Sequence, residues 1–110
     1  MLFRSDRDIA SLGELELVLE RLVERLCAGL IDQGRRGRTV GIKVRLDDFS
    51  THTRARTLVD AVAEANRVGP VALELLRRFA PPRPVRLLGV RVAGLQEPAG
   101  DAVEQLTLAV

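Results

Sequence analysis

The chain has 110 residues, of which 46% are hydrophobic and 29% are charged, and its formal net charge is +2. This length and composition are typical of one folded domain with a modest core and argue against a disordered chain. With three Phe and no Trp or Tyr, the chain is poorly suited to stacking nucleic-acid bases on aromatic side chains. No apolar run approaches the ~20 residues of a membrane span, and no secretory signal is recognisable. We expect a soluble, cytoplasmic protein with no membrane partner.

The first third of the chain predicts a short strand followed by a long helix. Residues 2–9 are mixed in character, and we interpret them as an edge strand. Ser11 and Glu14 have capping-box spacing, and Gly34 is placed to end the helix. Cys27 lies within the helical pattern and is expected in the core. Between Ser11 and Gly34 an apolar residue recurs every three or four positions, which predicts one buried stripe along the helix. Its members are Leu15, Val18, Leu19, Leu22, Val23, Leu26, Leu30 and Ile31.

The next segment predicts an antiparallel hairpin. Residues 39–46 alternate between apolar and polar side chains, the two-residue period of a strand with one buried face. Asp47 and Asp48 supply a turn, and residues 49–58 follow as the second strand.

A second helix follows the hairpin, with two alternatives for its start. It begins near Glu64 and bends where Gly69 and Pro70 interrupt it, or Asn66 caps a shorter helix. A proline-rich segment, residues 81–84, ends the helix, and residues 85–95 form the last strand.

The predicted fold class is α+β, in the order βαββαβ. A four-stranded antiparallel-type mixed sheet with two helices packed on one face satisfies this order. We assign residues 1–95 to one domain and residues 96–110 to a linker and C-terminal tail, with residues 96–104 as solvated linker. The second sheet face is left to water or to a partner.

The chain offers little for catalysis. It has one His and one Cys, and no cluster with metal-ligand spacing. Asp47 and Asp48 are better explained as turn residues than as a metal site. His52 is better explained as a polar residue on an exposed sheet face than as an acid–base group. Residues 34–37 contain glycines but follow a helix, so they do not fit a phosphate-binding loop.

The basic residues of the strands predict a binding face. If the apolar residues of the first hairpin strand face the helices, Lys43 and Arg45 face the open side. We expect the arginines of the other strands to join them there, while Thr53, Ala55 and Thr57 face inward. The expected basic face comprises Lys43, Arg45, Arg54, Arg56 and Arg91.

An ordinary solvated face is the alternative to a binding face. Like charges opposite one another across strands destabilise a sheet, and an anionic ligand would relieve that cost. Duplex DNA is such a ligand, and its phosphates would be bound in a salt-dependent and largely sequence-independent way.

Several segments resemble a known domain. The run Thr53-Arg54-Ala55-Arg56-Thr57-Leu58, with residues 39–45 before it and residues 85–92 after it, resembles the little-finger domain of Y-family DNA polymerases of the DNA polymerase IV type. Residues 8–14 and 37–40 match the family as well. The resemblance covers nearly the whole chain in collinear order.

The resemblance implies a βαββαβ domain whose sheet lies across the major groove of primer–template duplex DNA. It also implies that the palm, with its metal-binding carboxylates, and the fingers and thumb lie upstream. Magnesium is thereby implied for the parent polymerase, and no cofactor for this domain. Arg54, Arg56, Arg86 and Arg91 match basic positions of the family's DNA-contacting strands, although Arg86 falls on the core-facing register.

The tail carries a second resemblance. Gln105-Leu106-Thr107-Leu108 resembles the Gln-Leu-x-Leu-Phe peptide with which these polymerases bind the sliding clamp. Gln105, Leu106 and Leu108 are the candidate clamp-binding residues. Ala109 replaces the aromatic residue of the peptide, so affinity should be reduced.

Two other classes of protein stay open. The chain could be a catalytically inactive polymerase-like adaptor that recruits partners through its tail. It could also be an unrelated ferredoxin-like domain that binds RNA or a small molecule.

Overall fold

The computed structural model of the protein describes residues 9–94 and, in backbone only, residues 102–107. This part of the chain contains two helices and four strands: α1 (Leu12–Asp32), β1 (Gly37–Leu46), β2 (Thr51–Val62), α2 (Ala65–Phe79), β3 (Val85–Ala93) and β4 (Ala102–Thr107). The strands form one sheet in the order β2-β1-β3-β4, and every neighbouring pair is antiparallel. Neither helix in the described residues combines the length and the apolar character needed to cross a membrane.

Helix α1 begins and ends at the residues that the sequence indicated. The Ser11 hydroxyl accepts a hydrogen bond from the Glu14 backbone N–H at 3.4 Å, as expected for an N-cap. The helix ends before Gly34, whose φ of 65° is readily accessible only to glycine. All of the predicted stripe is buried except Ile31, which lies in the last turn and is 56% exposed. Cys27 is buried, as expected.

The β1–β2 hairpin turns through Asp47 and Asp48. Asp48 Oδ1 accepts hydrogen bonds from the Ser50 hydroxyl at 2.6 Å and the Ser50 N–H at 3.0 Å, and the hydroxyl bond is the main reason that the pKa of Asp48 is lowered. Asp47 accepts a bond from Arg83 Nε at 2.6 Å. These contacts confirm that both acids serve the turn. Strand β2 begins two residues later than predicted and continues to Val62.

Helix α2 begins at Ala65, which confirms the predicted start near Glu64 over a shorter helix capped by Asn66. Glu64 is the N-cap residue, and the helix runs through Gly69 and Pro70 without a break. It ends at Phe79, and the following residue, Ala80, adopts a left-handed conformation with φ 48°. Helices α1 and α2 pack on the same face of the sheet and bury the apolar side chains of β1 and β3 beneath them. The predicted α+β layering is therefore correct.

The predicted order of helices and strands along the chain is wrong. The described order is αββαββ, because residues 102–107, which we had placed in the linker and tail, form β4 against β3. Of the predicted first strand, residues 2–8 lie outside the described residues, and Ile9 forms only an isolated antiparallel bridge to Val85. The described strands are not mixed as predicted, since every pairing among β1 to β4 is antiparallel. A short segment forms a strand when it pairs with the edge of an existing sheet. The sequence of the segment alone does not show whether such an edge is nearby.

Candidate nucleic-acid interface

The strand register defines which residues share the sheet face opposite the helices. Residues directly opposite one another in an antiparallel sheet lie on the same face. Lys43 pairs with Thr53 and Gly89, and Gly41 pairs with Ala55 and Arg91. We call this surface the open face. Its members from β1, β2 and β3 are Thr39, Gly41, Lys43, Arg45, Thr51, Thr53, Ala55, Thr57, Leu87, Gly89, Arg91 and Ala93. None of these twelve residues is acidic.

Three cations belong to the open face, where all but one of the other residues are small or hydroxylated and the exception is Leu87. Arg45 Nε donates a hydrogen bond to Thr51 Oγ1 at 3.0 Å, which fixes its side chain along the sheet. Arg91 lies across Gly41: a Cβ added to that glycine would be 3.9 Å from Arg91 Nε. Lys43 lies between them on β1. The structure therefore brings Lys43, Arg45 and Arg91 together, as the sequence analysis expected.

The same register corrects the expected positions of Arg54 and Arg56. Arg54 pairs with Ile42 and Arg56 with Val40, and both partners are buried beneath the helices. Both arginines therefore lie on the helix side of the sheet, at its β2 edge. Thr53, Ala55 and Thr57, which we expected to face inward, belong to the open face, and all three are exposed.

Contacts with α2 hold these two arginines at the edge. The Arg54 guanidinium lies 5.0 Å from the centroid of the Phe79 ring, and Arg56 Nη1 is 3.1 Å from Glu74 Oε1. Arg78 Nε lies 3.5 Å from the same carboxylate oxygen. We call Arg54, Arg56 and Arg78 the β2-edge cluster. The cluster borders an open cleft of about 490 Å³, lined by Arg54, Arg78 and Phe79 among others.

Arg86 lies at the hairpin end of the sheet, next to Leu87, the β3 partner of Arg45. The register shifts so that Arg45 pairs with Leu87 and Leu46 with Val85, which leaves Arg86 as the extra residue of a bulge. A bulge re-aims its side chain, so the simple core-facing assignment does not apply. The Arg86 guanidinium lies 4.2 Å from the ring centroid of Phe49, a turn residue with φ 69° that is 66% exposed.

Several acidic residues away from the open face are paired with arginines. Glu16 on α1 accepts two hydrogen bonds from Arg77, at 2.9 and 3.0 Å, and these bonds lower its pKa. Glu64 at the start of α2 accepts two from Arg36, at 2.7 and 3.3 Å, and its pKa is lowered mainly for that reason. The open face keeps its positive charge because these carboxylates lie elsewhere.

His52, the one histidine of the chain, packs between the hairpin turn and α2. His52 Nε2 is 3.1 Å from the Ser50 hydroxyl, and its ring lies 5.2 Å from that of Phe79. It is therefore on the helix side of the sheet, whereas we had placed it on the exposed face. Within residues 9–94 and 102–107, no group of three or more His, Cys, Asp or Glu side chains could hold a metal ion.

The candidate clamp-binding residues fall at the end of the described chain. Gln105 and Leu106 lie in β4, opposite Gly89 and Leu88. Leu108 lies outside the described residues.

The sequence analysis missed the threonines of the open face. Thr51, Thr53 and Thr57 alternate with the arginines of β2, and Thr57 Oγ1 is 3.0 Å from Thr39 Oγ1 on β1. The sequence shows that threonines and arginines alternate. Which of the two sets shares a face with Lys43 depends on the register of the hairpin.

The fold and this surface define a class: a two-layer α+β domain with a basic sheet face, on which the twelve residues named above include no acid. The chain belongs to the impB/mucB/samB family C-terminal domain, whose family model matches residues 3–108.

Among full-length relatives, DNA polymerase IV 1 of Mesorhizobium japonicum is 42% identical over 92 residues, covering 84% of this chain and 21% of the relative. DNA polymerase IV of Opitutus terrae is 36% identical over 93 residues, covering 84% of this chain and 24% of the relative. DNA polymerase IV of Pelotomaculum thermopropionicum is 38% identical over 103 residues, covering 93% and 25%. The chain thus spans about a fifth to a quarter of the length of these relatives.

Proposed function

We propose that this chain is the DNA-binding domain of a translesion DNA polymerase and that its open face binds the phosphate backbone of primer–template duplex DNA. The observation that carries the proposal is the grouping of Lys43, Arg45 and Arg91 on the open face, whose twelve defining residues include no carboxylate. Membership of the family and the likeness to DNA polymerase IV proteins support it.

The chemistry of the open face suits phosphates better than bases. Arginine and lysine form charge-assisted hydrogen bonds to phosphate oxygens, and threonine hydroxyls add further donors. Gly41 and Gly89 have no side chains, which lets a bulky polyanion approach the sheet closely. No exposed aromatic residue belongs to the open face as defined, so base stacking contributes little there. Binding should be strongly salt-dependent and nearly indifferent to sequence.

Arg54, Arg56 and Arg86 extend this surface at its margins. In the proposal, Arg54 and Arg56 reach phosphates that pass the β2 edge, and Arg86 reaches them at the hairpin end. Arg56 contributes less than Arg54, because Glu74 already neutralises part of its charge at 3.1 Å.

The remaining activities belong to other parts of the polymerase. Template-directed nucleotidyl transfer and its magnesium ions would be supplied by a palm domain, and this chain positions the DNA. Gln105, Leu106 and Leu108 would tether the polymerase to the sliding clamp.

The proposal is tested by the affinity of single alanine variants for a labelled primer–template duplex, measured by fluorescence anisotropy. Lys43→Ala, Arg45→Ala and Arg91→Ala should each weaken binding about threefold to tenfold, a loss of roughly 0.7–1.4 kcal/mol. Two duplexes of unrelated sequence should show equal losses, since phosphates carry no sequence information.

Arg67→Ala is the matched control, because it removes one positive charge from the exposed side of α2. Losses at the open face no larger than that of Arg67→Ala would overturn the proposal, as would losses confined to one DNA sequence.

A further inference from the structure

One segment of the chain both pairs in the sheet and carries most of the clamp-type peptide. Residues 102–107 form β4, which pairs with β3 along its outer edge, from Leu87 opposite Thr107 to Val92 opposite Ala102. The same segment contains Gln105-Leu106-Thr107, the first three residues of the clamp-type peptide. Sheet pairing and peptide presentation therefore compete for the same backbone.

Pairing with β3 occupies the backbone hydrogen-bonding groups along one edge of β4. An antiparallel ladder uses the N–H and C=O groups that point toward the neighbouring strand. The register also sets Leu106 opposite Leu88, a fully buried residue on the helix side of the sheet. A partner's groove would have to contact both the backbone and the leucines of this peptide. While β4 is paired with β3, part of that backbone is already hydrogen-bonded to β3, so the groove cannot bind the peptide until β4 detaches.

We propose that β4 is an exchangeable strand: residues 102–107 either complete the sheet beside β3 or occupy the peptide groove of a partner, and never both at once. This inference rests on the clamp tether of the proposed function and adds a regulatory step to it. The apparent dissociation constant for the partner equals the intrinsic constant divided by the fraction of molecules with β4 detached. Partner capture also uncovers the backbone edge of β3, to which another extended segment could then add.

A disulfide that locks β4 to β3 tests the proposal. Arg91 and Val103 are Cα partners in the register, and both lie outside the peptide. Opposite residues of this kind are within disulfide reach. In the full chain, Arg91→Cys combined with Val103→Cys should therefore form the bond on oxidation. Cys27 is buried and does not compete for either thiol.

Capture is measured on immobilised sliding clamp, with the double variant oxidised and then reduced. The oxidised form should bind about tenfold or more weakly, and reduction should restore capture to the level of the two single-cysteine variants. Each single-cysteine variant is a matched control that cannot form the lock and should bind equally in both states.

Three other results would each contradict a different part of the proposal. Equal capture by the oxidised and reduced double variant would overturn strand exchange while leaving the clamp tether standing. No capture of the wild-type chain would remove the tether and this inference together, without touching DNA binding. Failure of the disulfide to form would show that β4 does not pair with β3 in this register.

Hydrogen exchange on the wild-type chain gives an independent measurement. Addition of the clamp should accelerate exchange of the β3 amides that point toward β4, because their partners leave. Unchanged or slower exchange at those amides, in the presence of bound clamp, would contradict the proposal.

Discussion

Arg56 and Arg91 are both exposed strand arginines, yet their surroundings differ. Arg91 lies across Gly41 on a face whose described residues include no acid, whereas Arg56 has the Glu74 carboxylate at 3.1 Å. A guanidinium that already has a carboxylate partner must lose or share it before it binds phosphate. Glu74 therefore lowers the availability of Arg56 to phosphate, although Arg56 is exposed.

Removal of the Glu74 charge tests this difference. Glu74→Gln should strengthen duplex binding about two- to threefold, because Arg56 and Arg78 both lose their carboxylate partner while the side-chain shape is kept. Fluorescence anisotropy at low salt measures the effect. An unchanged or weaker affinity would show that the β2-edge cluster lies away from the DNA. Glu20→Gln, on the exposed side of α1, controls for the change in net charge.

Cys27 makes stability depend on pH. Burial, with a smaller contribution from Glu64, raises the pKa of its thiol from 9.0 to about 11. Above the unfolded pKa the unfolded chain loses this proton while the folded chain keeps it. The stabilising contribution is therefore complete below pH 9 and falls as pH rises toward 11, by at most about 1.4 kcal/mol per pH unit.

Urea denaturation between pH 8 and 11 measures this dependence. Cys27→Ala should be less stable at neutral pH because it removes buried volume, but its stability should fall less steeply above pH 9. Equal slopes for wild type and variant would show that the thiol titrates in the folded state as it does in the unfolded chain.

At the scale of elements, helix α1 and strand β1 were predictable because their patterns are local. The buried stripe of α1 repeats every three or four residues, and β1 alternates with period two. The face of each β2 residue was not predictable from alternation alone. It depends on the turn after Leu46, where the Leu46 N–H bonds to the Ser50 carbonyl, and one residue more or less would reverse every β2 side chain.

Hydrophobicity did not show which face each β2 side chain lies on either, because β2 is an edge strand and is exposed on both faces over much of its length. Arg54 and Arg56 remain exposed on the helix side, since α2 covers only part of that strand. Strand β4 was missed for a different reason: its few residues form a strand by pairing with β3, a contact between distant parts of the chain.

The N-cap of α1 gives a prediction at this scale. Ser11→Ala should lower the free energy of unfolding by about 1 kcal/mol, because the Glu14 N–H loses its side-chain acceptor. Ser11→Asp should keep or raise stability, since it retains an acceptor and places a negative charge near the helix N-terminus. Urea denaturation of both variants provides the comparison. Equal stability of the alanine and aspartate variants would show that the 3.4 Å contact contributes nothing.

At the scale of the whole molecule, charge separation matters more than net charge. A formal charge of +2 on 110 residues gives little reason to expect a polyanion partner. The fold changes this, because the Glu16–Arg77 and Glu64–Arg36 pairs lie off the open face and Lys43 remains on it. The basic face could be inferred from the sequence in part, through Lys43, Arg45 and Arg91. Its freedom from acids is a property of the assembled sheet.

The most direct test of this account is the salt dependence of duplex binding. Each phosphate contact contributes about 0.9 to the slope of the logarithm of affinity against the logarithm of salt concentration. The triple variant Lys43→Ala, Arg45→Ala, Arg91→Ala should therefore show a slope about 2 to 3 smaller in magnitude than that of wild type between roughly 50 and 200 mM salt. A triple variant that binds more weakly but keeps the wild-type slope would contradict phosphate binding by the open face.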